Sequence, residues 1–368
     1  ENVDIYKALN ARGVQYNKRL YDMYYDYLEP DHQSENLRGT HINNLTYLRD
    51  PKISNKSYYS DDLLSYSENY SNTALVVIGR IAGEGMNVST TSQKKKGDGS
   101  VDDNTRHYLE LSAEEEELLY YCGAHYENVI VLLNVANPFE CGFMETIPGL
   151  DACLYIGFTG TRGVASVPKL LYGDVSPSGK TVDIFPYDSF TNPGNVILNK
   201  TYTDNSSEYV DVVENIYIGY KWYETADTMG VWNDYTLYDG ENQKTGYNAV
   251  VQFPFGHGLS YTTFDWTVKG FYIHDDELKE GQEPVELAPG SDITDKTKID
   301  VVVNVKNTGS VRGRDVVEAY ITAPYYDGEI EKASVSLVGF NKTNILEPGA
   351  DEDITVTLDA YDFASYDC

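Results

Sequence analysis

Glu84 stands between two glycines in the segment Gly79-Arg80-Ile81-Ala82-Gly83-Glu84-Gly85. A carboxylate flanked in this way is poorly shielded by its neighbours, and the glycines permit backbone angles closed to bulkier residues. Proton donation is the chemistry such a group could perform. A solvated loop glutamate between turn glycines is the other reading of the heptapeptide taken alone. The apolar run Ala74-Leu75-Val76-Val77-Ile78 precedes it and reads as a buried strand. The loop therefore springs from a strand's carboxyl end, where open α/β sheets bind their ligands.

Other chemistries find no residues to carry them. No Gly-x-Gly-x-x-Gly opens a helix after the first strand and no Walker A pattern occurs, which removes dinucleotide and nucleotide chemistry. Cys122, Cys141, Cys153 and Cys368 lack metal-binding spacing and read as buried free thiols. The run Glu114 to Glu117 is the first turn of a helix favoured by the macrodipole, not a metal site. A formal net charge of −30 argues against nucleic acid, which needs clustered Lys and Arg. The one basic cluster, Lys94-Lys95-Lys96, lies beside Gly-Asp-Gly and reads as a mobile loop. No apolar run of about 18 residues is present to span a membrane.

The elements that must position Glu84 follow from periodicity. Two helices come first, one ended by Gly13 and one with Leu20, Met23, Tyr24, Tyr27 and Leu28 at helical spacing before Pro30. A polar connection from about Asp31 to Asn72 holds one short helix near Asp61 to Tyr66. Strands at 74–78, 128–134 and 151–157 then alternate with helices, the first opened by the capping box Ser112-Ala113-Glu114-Glu115. This order predicts an α/β fold with an open, mostly parallel sheet sandwiched by helices over residues 1–263. From Phe264 short alternating strands, such as 298–305, 316–321 and 354–358, are punctuated by turns. They predict an all-β sandwich of immunoglobulin or fibronectin type III kind over residues 264–368. Many of the 33 tyrosines fall at helix-core spacing and should pack.

Several motifs in a fixed order resemble glycoside hydrolase family 3, the β-glucosidase-like enzymes, over essentially the whole chain. The Gly79 to Gly85 loop is similar to that family's Ser-Arg-x-Ser-Gly-Glu-Gly, and Val129 to Asn134 with Asn137-Pro138-Phe139-Glu140 to its strand and Pro-x-Glu. Gly173 to Lys180 resembles its Asn-Pro-Ser-Gly-Arg turn, and Glu214 to Glu224 its Glu-Gly-Ile-Tyr-Val-Gly-Tyr stretch. Phe253-Pro254-Phe255-Gly256-His257-Gly258-Leu259-Ser260-Tyr261 differs from the family motif by His257 for Tyr. Asn307-Thr308-Gly309 and Leu337 to Phe340 resemble the appended fibronectin type III-like domain.

The resemblance implies a retaining hydrolase of β-glucosides or related sugars, working with two carboxyl groups and no cofactor or metal. It places the acid/base on Glu84, and the nucleophilic Asp on a (β/α)8 barrel. No barrel fits in this chain, and Ser60-Asp61-Asp62 is the nearest string to the nucleophile motif. The barrel is therefore expected on another part of the same protein or on a companion fragment. The chain reads as a piece of a larger protein, its opening residues showing neither initiator Met nor signal peptide. The other reading is a carbohydrate-binding or adhesion module that kept the shell and lost the chemistry.

Arg80 could orient Glu84 or a sugar hydroxyl, or form a surface ion pair. Arg106 and Tyr108 are further substrate-binding candidates at the entrance, whereas His107 between them reads as a solvated loop residue and His257 as packed. Seven Asn-x-Ser/Thr sequons and the acidic, Tyr-rich composition fit a secreted or cell-surface setting.

Overall fold

The run Thr73–Gly79 (β1) has too few polar side chains to face water, and it pairs in parallel with Asn128–Asn134 (β2), Thr73 opposite Asn128 and Gly79 opposite Asn134. Parallel neighbours need a crossover. Here it contains the helix Ala113–His125, started by the expected capping box. Ala152–Tyr155 (β3) joins the other side of β2, giving the order β1-β2-β3. The computed structural model describes residues 3–32, 51–80, 93–94, 101–103, 105–195, 213–239, 242–275 and 283–365. Glu84 lies outside the described residues, as do Lys95, Lys96 and Cys368. Lys94 is paired with Val101 in a short antiparallel ladder.

The central strand is covered on both faces, with Val129, Val131, Leu132 and Leu133 almost wholly inaccessible. The outer strands are not. Val77 of β1 is exposed, and so is most of β3. This corrects one expectation: Cys122 and Cys141 are buried free thiols, but Cys153 on the outer strand is exposed.

Among the described residues, three helices precede β1, Ile5–Ala11 (α1), Lys18–His32 (α2) and Asp61–Tyr70 (α3), and Ala113–His125 (α4) lies between β1 and β2. Ser60 caps α3, so the Ser-Asp-Asp string nearest to a nucleophile motif is a helix start. Helix α3 is also longer than predicted, and α2 runs two residues past Pro30. Some tyrosines pack as expected: Tyr6 lies 5.0 Å from Tyr16 and 4.5 Å from Tyr21, and Tyr27 meets Tyr58 edge-on at 4.9 Å, whereas Tyr25, Tyr66 and Tyr120 on the helices are exposed.

The chain forms two compact units. The first comprises Glu1–Lys169, Phe185–Val213 and Thr236–Gln252, and the second Leu170–Ile184, Glu214–Tyr235 and Phe253–Cys368. Within the second, Phe264–Asp275 (β4), Val285–Glu286 (β5), Thr297–Asn307 (β6) and Asp351–Asp359 (β9) make a four-stranded sheet in the order β5-β4-β6-β9. Val316–Ile321 (β7) pairs with Ser336–Lys342 (β8). Ile299, Val303, Val305, Val317, Leu346, Ile354, Val356 and Leu358 form its core. The all-β architecture is as predicted. Two earlier segments join this unit: Leu170–Ile184, because the Gly179 turn pairs with the Phe-Gly-His-Gly turn through Thr181 N donating to His257 O at 2.7 Å and Gly256 N to Thr181 O at 2.8 Å, and Glu214–Tyr235, where Tyr220 Oη accepts from Leu337 N at 2.8 Å. A Cβ on Gly258 would lie 2.2 Å from the Gly179 carbonyl. His257 packs as expected, stacked on Phe253 at 4.8 Å.

In the first unit the backbone of α4 touches the turn before β3. A Cβ on Gly123 would sit 2.1 Å from the Pro148 carbonyl oxygen, backbone against backbone with no flexible side chain to yield. Gly123→Ala should therefore lower stability by about 1–3 kcal/mol through overpacking, despite alanine's better helix propensity. Urea unfolding of the purified chain checks this; an unchanged or raised midpoint would contradict the close approach.

Candidate active site

Arg80 is the first residue after β1, and its backbone N–H extends the parallel ladder to Asn134 O at 3.2 Å. Its side chain turns inward and is 8% exposed. Nε donates to Tyr108 O at 2.7 Å. Nη1 donates to Gly79 O at 2.8 Å and to Glu115 Oε1 at 2.6 Å, and Nη2 to Glu110 O and Glu115 Oε2, both at 2.7 Å. A guanidinium has five N–H donors. All five are used inside the protein. The ion pair foreseen at the surface is thus a buried one, and no donor remains for a sugar hydroxyl.

Glu115 has two tasks. Its backbone N–H donates to Ser112 Oγ at 3.1 Å and its Oε2 accepts from Ser112 N at 2.8 Å, closing the capping box, while both carboxylate oxygens meet Arg80. Burial alone would raise its pKa. The Arg80 charge and hydrogen bonds, with those from Ser112, outweigh burial and hold the carboxyl below its ordinary value. The macrodipole reading of the acidic run omitted this partner. The guanidinium carbon also lies 5.0 Å from the Phe139 ring and 5.5 Å from the Tyr108 ring.

Arg106 is half-buried, donating from Nη1 to Leu111 O at 2.9 Å and from Nη2 to Glu116 Oε2. Tyr108, also half-buried, offers its carbonyl to Arg80. Arg80 and Tyr108 are thus brought together, and Arg106 stands two residues before Tyr108 with a different acidic partner.

His107 is buried, against the expectation of a solvated residue. Its Nε2 lies 2.9 Å from Glu140 Oε1 and 3.7 Å from Glu110 Oε1, its backbone N–H donates to Glu110 Oε1 at 2.6 Å, and its ring meets Phe190 edge-on at 5.4 Å. Glu140 Oε1 also accepts from Ser189 N at 2.7 Å, and Glu140 N donates to Leu109 O at 2.9 Å. Sequence reasoning missed the reason for burial, although Glu140 closes the Pro-x-Glu motif. That motif was the available signal.

His107, Glu110 and Glu140 place one ligand-type atom each within 4.8 Å of one another. Leu109 N–H donates to Nδ1 at 3.1 Å, so the hydrogen-bond network assigns the ring proton to Nε2, where it faces Glu140. A neutral imidazole cannot both accept at Nδ1 and ligate a metal through Nε2. The cluster shares a proton instead. Burial lowers the His107 pKa, but the hydrogen bond and charge of Glu140, with the charges of Glu110 and Asp188, overcome it and raise the value. Losing the Leu109 bond on protonation costs about 1 kcal/mol, less than carboxylates near 4 Å return at about 4 kcal/mol each for an effective dielectric near 20.

A raised folded-state pKa means that the folded protein binds this proton more tightly than the unfolded chain. The stabilisation is complete below about pH 6.5, the ordinary histidine value, and disappears as pH rises through the folded value. Thermal midpoints of the chain should show a decline above pH 6.5 that is reduced in His107→Gln. Equal pH dependence in both proteins would remove His107 as its source.

Residues 58–261 match the glycosyl hydrolase family 3 C-terminal domain, and residues 315–368 match a fibronectin type III-like domain. A β-glucosidase of Ruminococcus albus is 29% identical over 298 residues, covering 81% of this chain and 24% of its own length. β-Glucosidase A of Butyrivibrio fibrisolvens is 28% identical over 310 residues, covering 81% and 33%. The chain thus spans a third or less of these two relatives. Among solved structures, a β-glucosidase from Paenibacillus barengoltzii superposes on all of this chain and 33% of its own, with 26% identity and a TM-score of 0.72. β-Glucosidase 3B of Thermotoga neapolitana, at 24% identity and a TM-score of 0.69 over 99% of this chain and 42% of its own, shares the fold. With the C-terminal-domain match alone covering more than half of its residues, the chain belongs to glycosyl hydrolase family 3.

Proposed function

We propose that this chain is the α/β sandwich and β-domain portion of a retaining β-glucosidase-like enzyme, with Glu84 as acid/base. The nucleophilic carboxylate belongs on a (β/α)8 barrel outside the chain, in the same protein or a companion fragment. One observation carries the reading: Arg80 holds together the two ends of the segment bearing Gly83-Glu84-Gly85, at the carboxyl end of a parallel strand. The motif order and the β-glucosidase relatives support the substrate class.

In this scheme the barrel's carboxylate attacks the anomeric carbon while Glu84 protonates the departing glycosidic oxygen. Glu84 then takes a proton from the water that releases the sugar. Arg106 and Tyr108, half-buried before α4, line the approach; Arg80 does not touch substrate. No step needs a metal or an organic cofactor. Among the described residues no helix is long and apolar enough to cross a membrane.

Two assays of 4-nitrophenyl β-glucoside hydrolysis test the division of labour. The purified chain should show no turnover, and Glu84→Gln in the complete enzyme should lower kcat by about 10²–10⁴-fold, the range of a lost general acid/base. Turnover by the chain alone would place a nucleophile within it and overturn the proposal.

A further inference from the structure

Five hydrogen bonds from one buried side chain join residues far apart in sequence. Gly79 and Arg80 precede the 27-residue segment 81–107, Tyr108 and Glu110 follow it, and Glu115 anchors the guanidinium to the start of α4. A segment of that length could extend about 90 Å. Instead its flanking residues meet at one planar group. Ser112 fixes Glu115 through the capping box, and His107, at the segment's last position, is tied independently to Glu140.

We propose that Arg80, with Glu115, is a positioning residue for the reaction: it fixes where the Glu84-bearing segment leaves and rejoins the sandwich. Glu84 is four residues beyond Arg80 in sequence. Any shift of Arg80 or of the Tyr108–Glu110 carbonyls is passed to that short tether. This inference rests on the proposed role of Glu84. Lysine at position 80 would keep the charge but lose the planar fork, leaving at most three donors on one atom for acceptors now met by three nitrogens.

A mispositioned acid has a signature that a weakened fold lacks. Protonation matters for a poor leaving group such as phenol and little for 2,4-dinitrophenol, whereas partial unfolding lowers both rates by the same factor. In the complete enzyme, Arg80→Lys and Glu115→Gln should each lower kcat/KM for phenyl β-glucoside about 10-fold or more while leaving 2,4-dinitrophenyl β-glucoside within about threefold, a fraction of the 10²–10⁴ available to general acid catalysis. Glu84→Gln is the reference. If Glu84→Gln lacks the leaving-group difference, the proposed role of Glu84 fails. If Glu84→Gln shows it and both clamp variants lower the two substrates equally or not at all, the positioning role alone is overturned. Circular dichroism reports folding: should Arg80→Lys not fold, Glu115→Gln decides, and failure of both assigns the pair to stability and overturns the proposal.

Discussion

A guanidinium whose every N–H has an acceptor within the protein can stand in only one place. Arg80 meets this condition at the end of β1, and the first unit is organised around it: the strand before it, the segment rejoining at Tyr108, and the helix whose third residue is Glu115. A buried ion pair is weak evidence of net stability, because desolvating both charges offsets their attraction. Removing one partner is a different matter and costs about 3–5 kcal/mol, since the other charge is left buried alone.

The same economy of contacts recurs in the second unit with backbone instead of charge. Gly179 and Gly258 bring two turns close enough that a methyl group could not pass between them, and Thr181 and His257 exchange hydrogen bonds across the contact. On the β-sandwich, a Cβ on Gly339 of β8 would reach within 2.6 Å of Leu358 and 2.8 Å of Val356 on β9. Glycine there lets the two sheets close over the core. Motifs that look unrelated in sequence are thus two sides of one contact.

What could be read from the chain was what local physics encodes. Apolar runs marked β1 and β2, Ser112 and Glu115 announced the start of α4, and alternation with turn residues identified the β-domain. Pairings across long separations were hidden. Nothing near Arg80 indicates that its partner is Glu115, 35 residues on, and nothing near His107 indicates Glu140, 33 residues on. A histidine in a polar stretch looks solvated until the carboxylates that face it and raise its pKa are in view. The exposure of Cys153 was hidden likewise, because an apolar run does not say whether a strand is central or outermost. The motif order carried the family, and Glu84, the residue with the most chemistry to offer, rests on that order.

The placement of charge bears on that chemistry. A general acid must keep its proton near neutral pH, and an unneutralised arginine beside a carboxyl group lowers its pKa by about 1–3 units. An arginine four residues from Glu84 would work against proton donation if its charge were unopposed. Glu115 opposes it at 2.6 and 2.7 Å with both oxygens, and the depressed pKa of Glu115 means that the neutralising charge is kept to lower pH than that of an ordinary glutamate. The pair can therefore orient the segment without imposing a net positive field on it. On the proposed mechanism, the elevation of the Glu84 pKa is then left to burial and to the partner nucleophile, both supplied only when the barrel closes over the site. On that proposal, a charged residue four positions from the acid in sequence still belongs to the scaffold.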